Sequence, residues 1–123
     1  MKNLDGLTVD EQNELLDLEE SVELDKAKPV LKNNFLSFVK YVWPDFIEGS
    51  HHKVINEKFN QLAEGKIKRL IINMPPRHTK SEFASFLLPA WMIGKNPKLK
   101  IIQATHTADL AIDFGRKTKN LID

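Results

Sequence analysis

Lys80 and Ser81 stand next to one another at the end of a proline-rich turn, Met74-Pro75-Pro76-Arg77-His78-Thr79, and an apolar segment begins just after them. A lysine beside a hydroxyl at a helix start suits the capture of phosphate. The first N–H groups of a helix have no intrahelical partners and carry the positive end of its dipole, so a bound anion satisfies them. Lys80 adds a mobile positive charge for the outer phosphates of a nucleoside triphosphate, and the Ser81 hydroxyl can take one coordination position on Mg²⁺. The expected binding set is therefore Pro76, Arg77, His78, Thr79, Lys80 and Ser81 with ATP and Mg²⁺. Within it, Lys80 and Arg77 are the candidates for neutralising charge that develops in phosphoryl transfer.

Such a loop has to be held by the elements on either side of it. Arg69–Met74 contains Leu70-Ile71-Ile72, apolar without alternation, which predicts a parallel strand covered on both faces. The residues after the loop predict a helix from about Lys80 to Ile93, ended by Gly94 and kinked or divided at Pro89. Strand, loop, Lys-Ser and helix is the order of P-loop proteins. Against G-x-x-x-x-G-K-[ST], however, the window from Met74 to Ser81 lacks both glycines. Taken alone, the pair also reads as a solvated helix start after a strand-to-helix turn.

Several further segments follow in order: "HHKVINEKF" upstream, "PAW" and "KIIQATHTADLAIDFGR" downstream. With "IINMPPRHTKSE" they resemble the large subunit of tailed-bacteriophage terminases, the motors that package DNA. The resemblance runs from about Phe35 to Asp123. The family loop usually reads P-P-R-H-G-K-S, so Thr79 stands in place of a glycine.

The resemblance implies an ATP-binding N-terminal part of a motor that drives double-stranded DNA into procapsids, in the cytoplasm of an infected bacterial host. It also implies a terminase small subunit, a portal and a homo-oligomeric ring as partners of the whole protein. His51 and His52 fall where the family places adenine-contacting residues, and His52 joins the expected nucleotide-binding set on that basis. A helix-capping or core histidine is the other reading of either. Arg116 matches a recurring family position and is a candidate arginine finger to a neighbouring subunit, or a surface ion pair. Gln103-Ala104-Thr105-His106-Thr107 corresponds to a segment that couples nucleotide state to DNA contact, and otherwise reads as a strand-to-helix cap.

A later strand ending in acids, needed to hold the metal and orient the attacking water, is not legible, nor is a nuclease domain. The chain therefore reads as the phosphate-binding half of an ATPase with little turnover of its own. A helicase-like P-loop translocase and a non-catalytic adaptor with a vestigial P-loop are the alternatives.

Composition sets the limits. The 123 residues include no cysteine, which excludes disulfides and thiolate metal sites. No apolar run approaches the roughly 20 residues that cross a bilayer. Residues 1–25 hold nine acids and one base; subtracted from totals of 17 and 18, this leaves 8 acids and 17 bases over 26–123, a net of +9. An acidic arm on a body suited to polyanions follows.

Thr8-Val9-Asp10-Glu11 predicts a capping box, with Leu15, Leu18 and Val22 at helical spacing behind it. Lys26-Ala27-Lys28-Pro29 is expected to break that helix, dividing an arm, 1–28, from a core, 29–123. Helices are further predicted with Phe35, Phe38, Val39 and Val42 on one face, over His51–Glu64 with Gly65 as its stop, and over Ala108–Leu121; Lys100–Thr105 predicts a second strand. The expected fold is α/β: an incomplete P-loop-type parallel sheet with flanking helices, plus an N-terminal helical region. Its ligand would lie beyond the carboxyl ends of the strands. A left-handed backbone at Thr79, if met only on binding, would make Thr79→Gly tighten ATP binding about tenfold.

Overall fold

A capping box starts the first helix. Thr8 Oγ1 accepts from Glu11 N–H at 3.4 Å, and the Glu11 carboxylate takes Thr8 N–H at 2.8 Å in return. In the computed structural model, which describes residues 8–123, this opens α1 (Val9–Asn33). There follow α2 (Phe35–Val42), α3 (Ser50–Ala63), a π-helical turn (Glu82–Leu87) that runs directly into α4 (Leu88–Lys95), and α5 (Ala108–Ile122). Lys2 and Asp5 of the acidic arm lie outside the described residues.

No strand occurs among the described residues, and the expected parallel sheet is corrected to an all-helical arrangement. A β-ladder needs two backbones that bond to each other. No backbone hydrogen bond joins 69–74 to 100–105. Each segment lies on helices instead. Leu70, Ile72 and Met74 pack against the core while Ile71 is 86% exposed, so the run is covered on one face and not on both. Ile102, 95% exposed, is similarly bare.

α1 does not stop at Pro29. It continues to Asn33, with Pro29 inside it, so the expected break over 26–29 falls within a helix. A proline in a helix interior costs about 3 kcal/mol, which tertiary anchoring has to offset. The anchor is Leu31, whose C=O accepts Trp91 Nε1–H at 2.8 Å. Asn34 then ends one helix and begins the next: its N–H returns to Val30 C=O, and its side chain accepts from Ser37 N–H at 3.0 Å. No residue of α1 is buried.

The core forms where α2, α3, the π turn and α4 meet. Phe35 is its hub, fully buried and edge-on to Phe59, Phe83 and Trp91 at centroid distances of 5.0, 5.3 and 5.5 Å. Two asparagines of α3 cap the start of α2: Asn56 Oδ1 accepts Leu36 N–H at 2.8 Å, and Asn60 Oδ1 accepts Phe35 N–H at 3.1 Å. Asn56→Ala leaves a buried donor without its acceptor. We expect a loss of about 1–2 kcal/mol in urea unfolding, and an unchanged midpoint would show that this bond is dispensable.

The helix after the loop is divided as expected: the π turn Glu82–Leu87 gives way to α4 at Leu88, with Pro89 in the first turn of α4, where a proline is tolerated. Ser85 C=O would bond to residue 89 in an α-helix, and Pro89 has no N–H to offer. Gln103 supplies the donor from its side-chain amide, which ties the 99–105 segment to this helix. Gly65, at φ 74, ends α3 as expected, a conformation that suits glycine. Among the described residues no helix is long and apolar enough to cross a membrane.

Candidate phosphate-binding loop

Pro76 fixes φ near −65° and sets a tight turn, in which Arg77 takes the left-handed value at φ 65. His78 closes the turn by donating from Nδ1 to Pro76 C=O at 3.0 Å. Thr79 is left-handed again, at φ 60. Two non-glycine residues in this region within three positions cost on the order of 1–3 kcal/mol each, so the surrounding structure has to hold them. The first helical bond after the loop runs from Phe83 N–H to Thr79 C=O at 2.9 Å. The N–H groups of Lys80, Ser81 and Glu82 therefore precede the ladder, at the positive end of a helix that continues to Lys95.

The expected residues come together here. Pro76, Arg77, His78, Lys80 and Ser81 are all exposed, and Thr79 is half-buried. Lys80 Nζ hangs back on Met74 C=O at 3.4 Å, across the mouth of the loop. Glu82, the nearest acid in sequence, faces Lys117 of α5 at 4.0 Å. Arg116 is exposed on α5.

His52 is placed differently from the expected nucleotide contact. It is 4% exposed, edge-on to Phe46 and tilted over Phe83. Both ring nitrogens are engaged, Nδ1 with Gly49 N–H and Nε2 with Thr79 Oγ1, each at 2.8 Å. It has no free edge for a base. Its position three residues after Gly49, where a capping-box side chain reaches back, is the signal that points to this role. A Cβ at Gly49 would sit 2.9 Å from His51 Cε1, so a side chain there would require the His51 ring to shift.

His51 has the open nitrogen. Its Nε2 is buried without a partner, and its ring borders a groove of about 340 Å³ between α3 and residues 70–74, walled by Val54, Ile55, Ile71 and Met74. No group of three or more His, Cys, Asp or Glu side chains among the described residues can hold a metal ion. Ser81, with the phosphates of a bound nucleotide, remains the candidate for Mg²⁺, and its hydroxyl chemistry fits that role.

Thr79 changes the expectation about glycine. The left-handed backbone is already present in the free chain, so its cost falls on folding rather than on binding. The expected tenfold gain in affinity for Thr79→Gly no longer follows.

Burial, and then the charge on His51, hold the His52 imidazole below its ordinary range, with Glu48 pulling the other way. A histidine depressed in the folded state stabilises the fold above its unfolded value of 6.5, and that contribution is lost as pH falls through the folded value. We expect the urea midpoint to fall between pH 7.5 and pH 5.5, and His52→Gln to flatten the decline. An equal decline in the variant would assign it to other groups. Compared with known proteins, the chain matches no family model, no curated protein and no solved structure.

Proposed function

We propose that this chain binds a nucleoside triphosphate, with Mg²⁺, on residues 74–81 and the helix start at Lys80. It would do so as the ATP-binding part of a DNA-packaging motor of the kind its sequence resembles. The observation that carries this is the backbone of Thr79. At φ 60, directly before Lys80-Ser81, it has the conformation that glycine supplies at this position of the resembling loop. Arg77, His78 and Lys80 surround it, and no acid lies between Pro75 and Ser81.

An adenine ring would lie in the groove beside His51, between apolar walls and the Asn73 amide. The net charge of +9 over residues 26–123 suits duplex DNA as the polyanion. Hydrolysis by these 123 residues is not part of the proposal. Asp109 and Asp113 lie on α5 and Asp123 caps its end, while Glu82 is engaged by Lys117. Titration calorimetry with Mg-ATP and with AMP tests the reading: ATP is expected to bind and AMP to bind far more weakly, because the phosphates carry the affinity. Equal affinities would move the site off the loop.

The adaptor reading is favoured by one observation. Leu15, Leu18 and Val22 form an exposed apolar stripe on α1, a helix with no buried residue. Failure to bind any nucleotide would leave that reading as the better one.

A further inference from the structure

We propose that His52 is the positioning residue of the phosphate loop, holding Thr79 in its left-handed backbone through a neutral ring of one fixed tautomer. This rests on the reading of residues 74–81 as an anion-binding loop.

The hydrogen bonds allow only one arrangement of protons. Gly49 N–H donates to Nδ1, so that nitrogen carries no proton, and a neutral ring must carry its one proton on Nε2. Nε2–H then donates to Thr79 Oγ1 at 2.8 Å, and the hydroxyl passes its own proton to His78 C=O at 2.6 Å. The result is a one-way chain from the cap of α3 to the carbonyl just before the strained residue. Phe46 and Phe83 enclose the ring, and His51 lies tilted over it at 3.8 Å, so the ring is held against turning.

This chain explains how a β-branched residue occupies a position suited to glycine. Glycine reaches φ near +60° without help. Threonine resists it, but its hydroxyl gives α3 something to grip. His52 and Thr79 together replace the freedom of glycine with a peg, and the peg depends on the charge state of the ring. A second proton would place N–H on Nδ1 facing Gly49 N–H, turning the bond into a clash. The charged groups that face the ring are His51 on α3, His78 on the loop and Glu48 on the α2–α3 connection, the last already paired with Lys40 and Lys53. The loop is therefore set at neutral pH and released in acid.

The test uses the full chain with Thr79→Val, which keeps the shape and loses the hydroxyl, and Thr79→Gly, which needs no peg. Calorimetry with Mg-ATP at pH 7.5 is expected to show Thr79→Val binding about tenfold more weakly than wild type, with Thr79→Gly, which reaches the same backbone unaided, binding more tightly than Thr79→Val. At pH 5.5 wild type should lose affinity relative to Thr79→Gly; protonation of ATP itself affects both equally and cancels in the ratio.

Nitrogen-15 spectra of the His52 ring provide a readout that does not depend on the ligand. They should show the proton on Nε2 in wild type, and a shifted Nε2 signal in Thr79→Val. A Thr79→Val affinity equal to wild type, a wild-type to Thr79→Gly ratio that does not move with pH, or a proton on Nδ1 would each overturn the role of His52. Absence of Mg-ATP binding by wild type would instead overturn the anion-binding reading, and the ring spectra would still decide whether His52 holds Thr79.

Discussion

Lys80→Ala is expected to weaken Mg-ATP binding by about 10- to 150-fold. Lys80 is the one flexible cation at the start of the helix, and its free-state bond to Met74 C=O, at 3.4 Å, is long and easily exchanged for phosphate. A hydrogen bond to a charged group contributes about 1.5–3 kcal/mol, which corresponds to a loss of about 10- to 150-fold. Lys80→Arg should recover only part of it, because the planar guanidinium does not replace a compact ammonium at a fixed reach. The side chain is exposed and its one backbone bond is weak, so folding should be unaffected. Calorimetry on a variant with a wild-type urea midpoint separates the two effects, and unchanged affinity would remove Lys80 from the site.

Phe35→Ala is expected to have the largest effect on stability, about 3–5 kcal/mol, with the loss of three edge-on aromatic contacts included. Phe35 is fully buried and touches rings from α3, the π turn and α4, so one truncation opens a cavity that no single neighbour can refill. Domains of this size have total stabilities of about 5–15 kcal/mol, and the variant should be partly or wholly unfolded at 37 °C. A loss below about 1 kcal/mol in urea unfolding would mean that the core repacks around the gap.

Much of the helical part was legible from residue spacing. Phe35 and Val39, Ile55 and Phe59, the capping box at Thr8 and the stop at Gly65 were all readable, because periodicity and caps are local signals. The sheet was misread for a physical reason. Leu70-Ile71-Ile72 is apolar throughout, which signals burial on both faces, yet a strand exists only by pairing, and pairing cannot be read from one segment. Pro29 misled in the opposite direction, since the Trp91 bond to Leu31 that holds α1 together spans 60 residues.

At the site, the turn after Met74 and the helix start near Lys80 could be placed from sequence, because caps and turns are local signals. His52 could not, as its partners are a backbone N–H three residues before it and a hydroxyl 27 residues after it. A positive φ at Thr79 was one of two possibilities open from sequence; its presence in the free chain accompanies that distant bond.

The Trp91 bond to α1 has an optical consequence. Trp91 is 2% exposed, its indole N–H is fixed to Leu31 C=O, and Lys95 lies over its ring at 4.7 Å. It lies on α4, which the π turn joins to Lys80-Ser81. Trp43, the second tryptophan, is far more accessible. The chain thus carries two emitters in contrasting surroundings: a water-sensitive one at the end of α2, and a shielded one on the helix that follows the loop and the π turn.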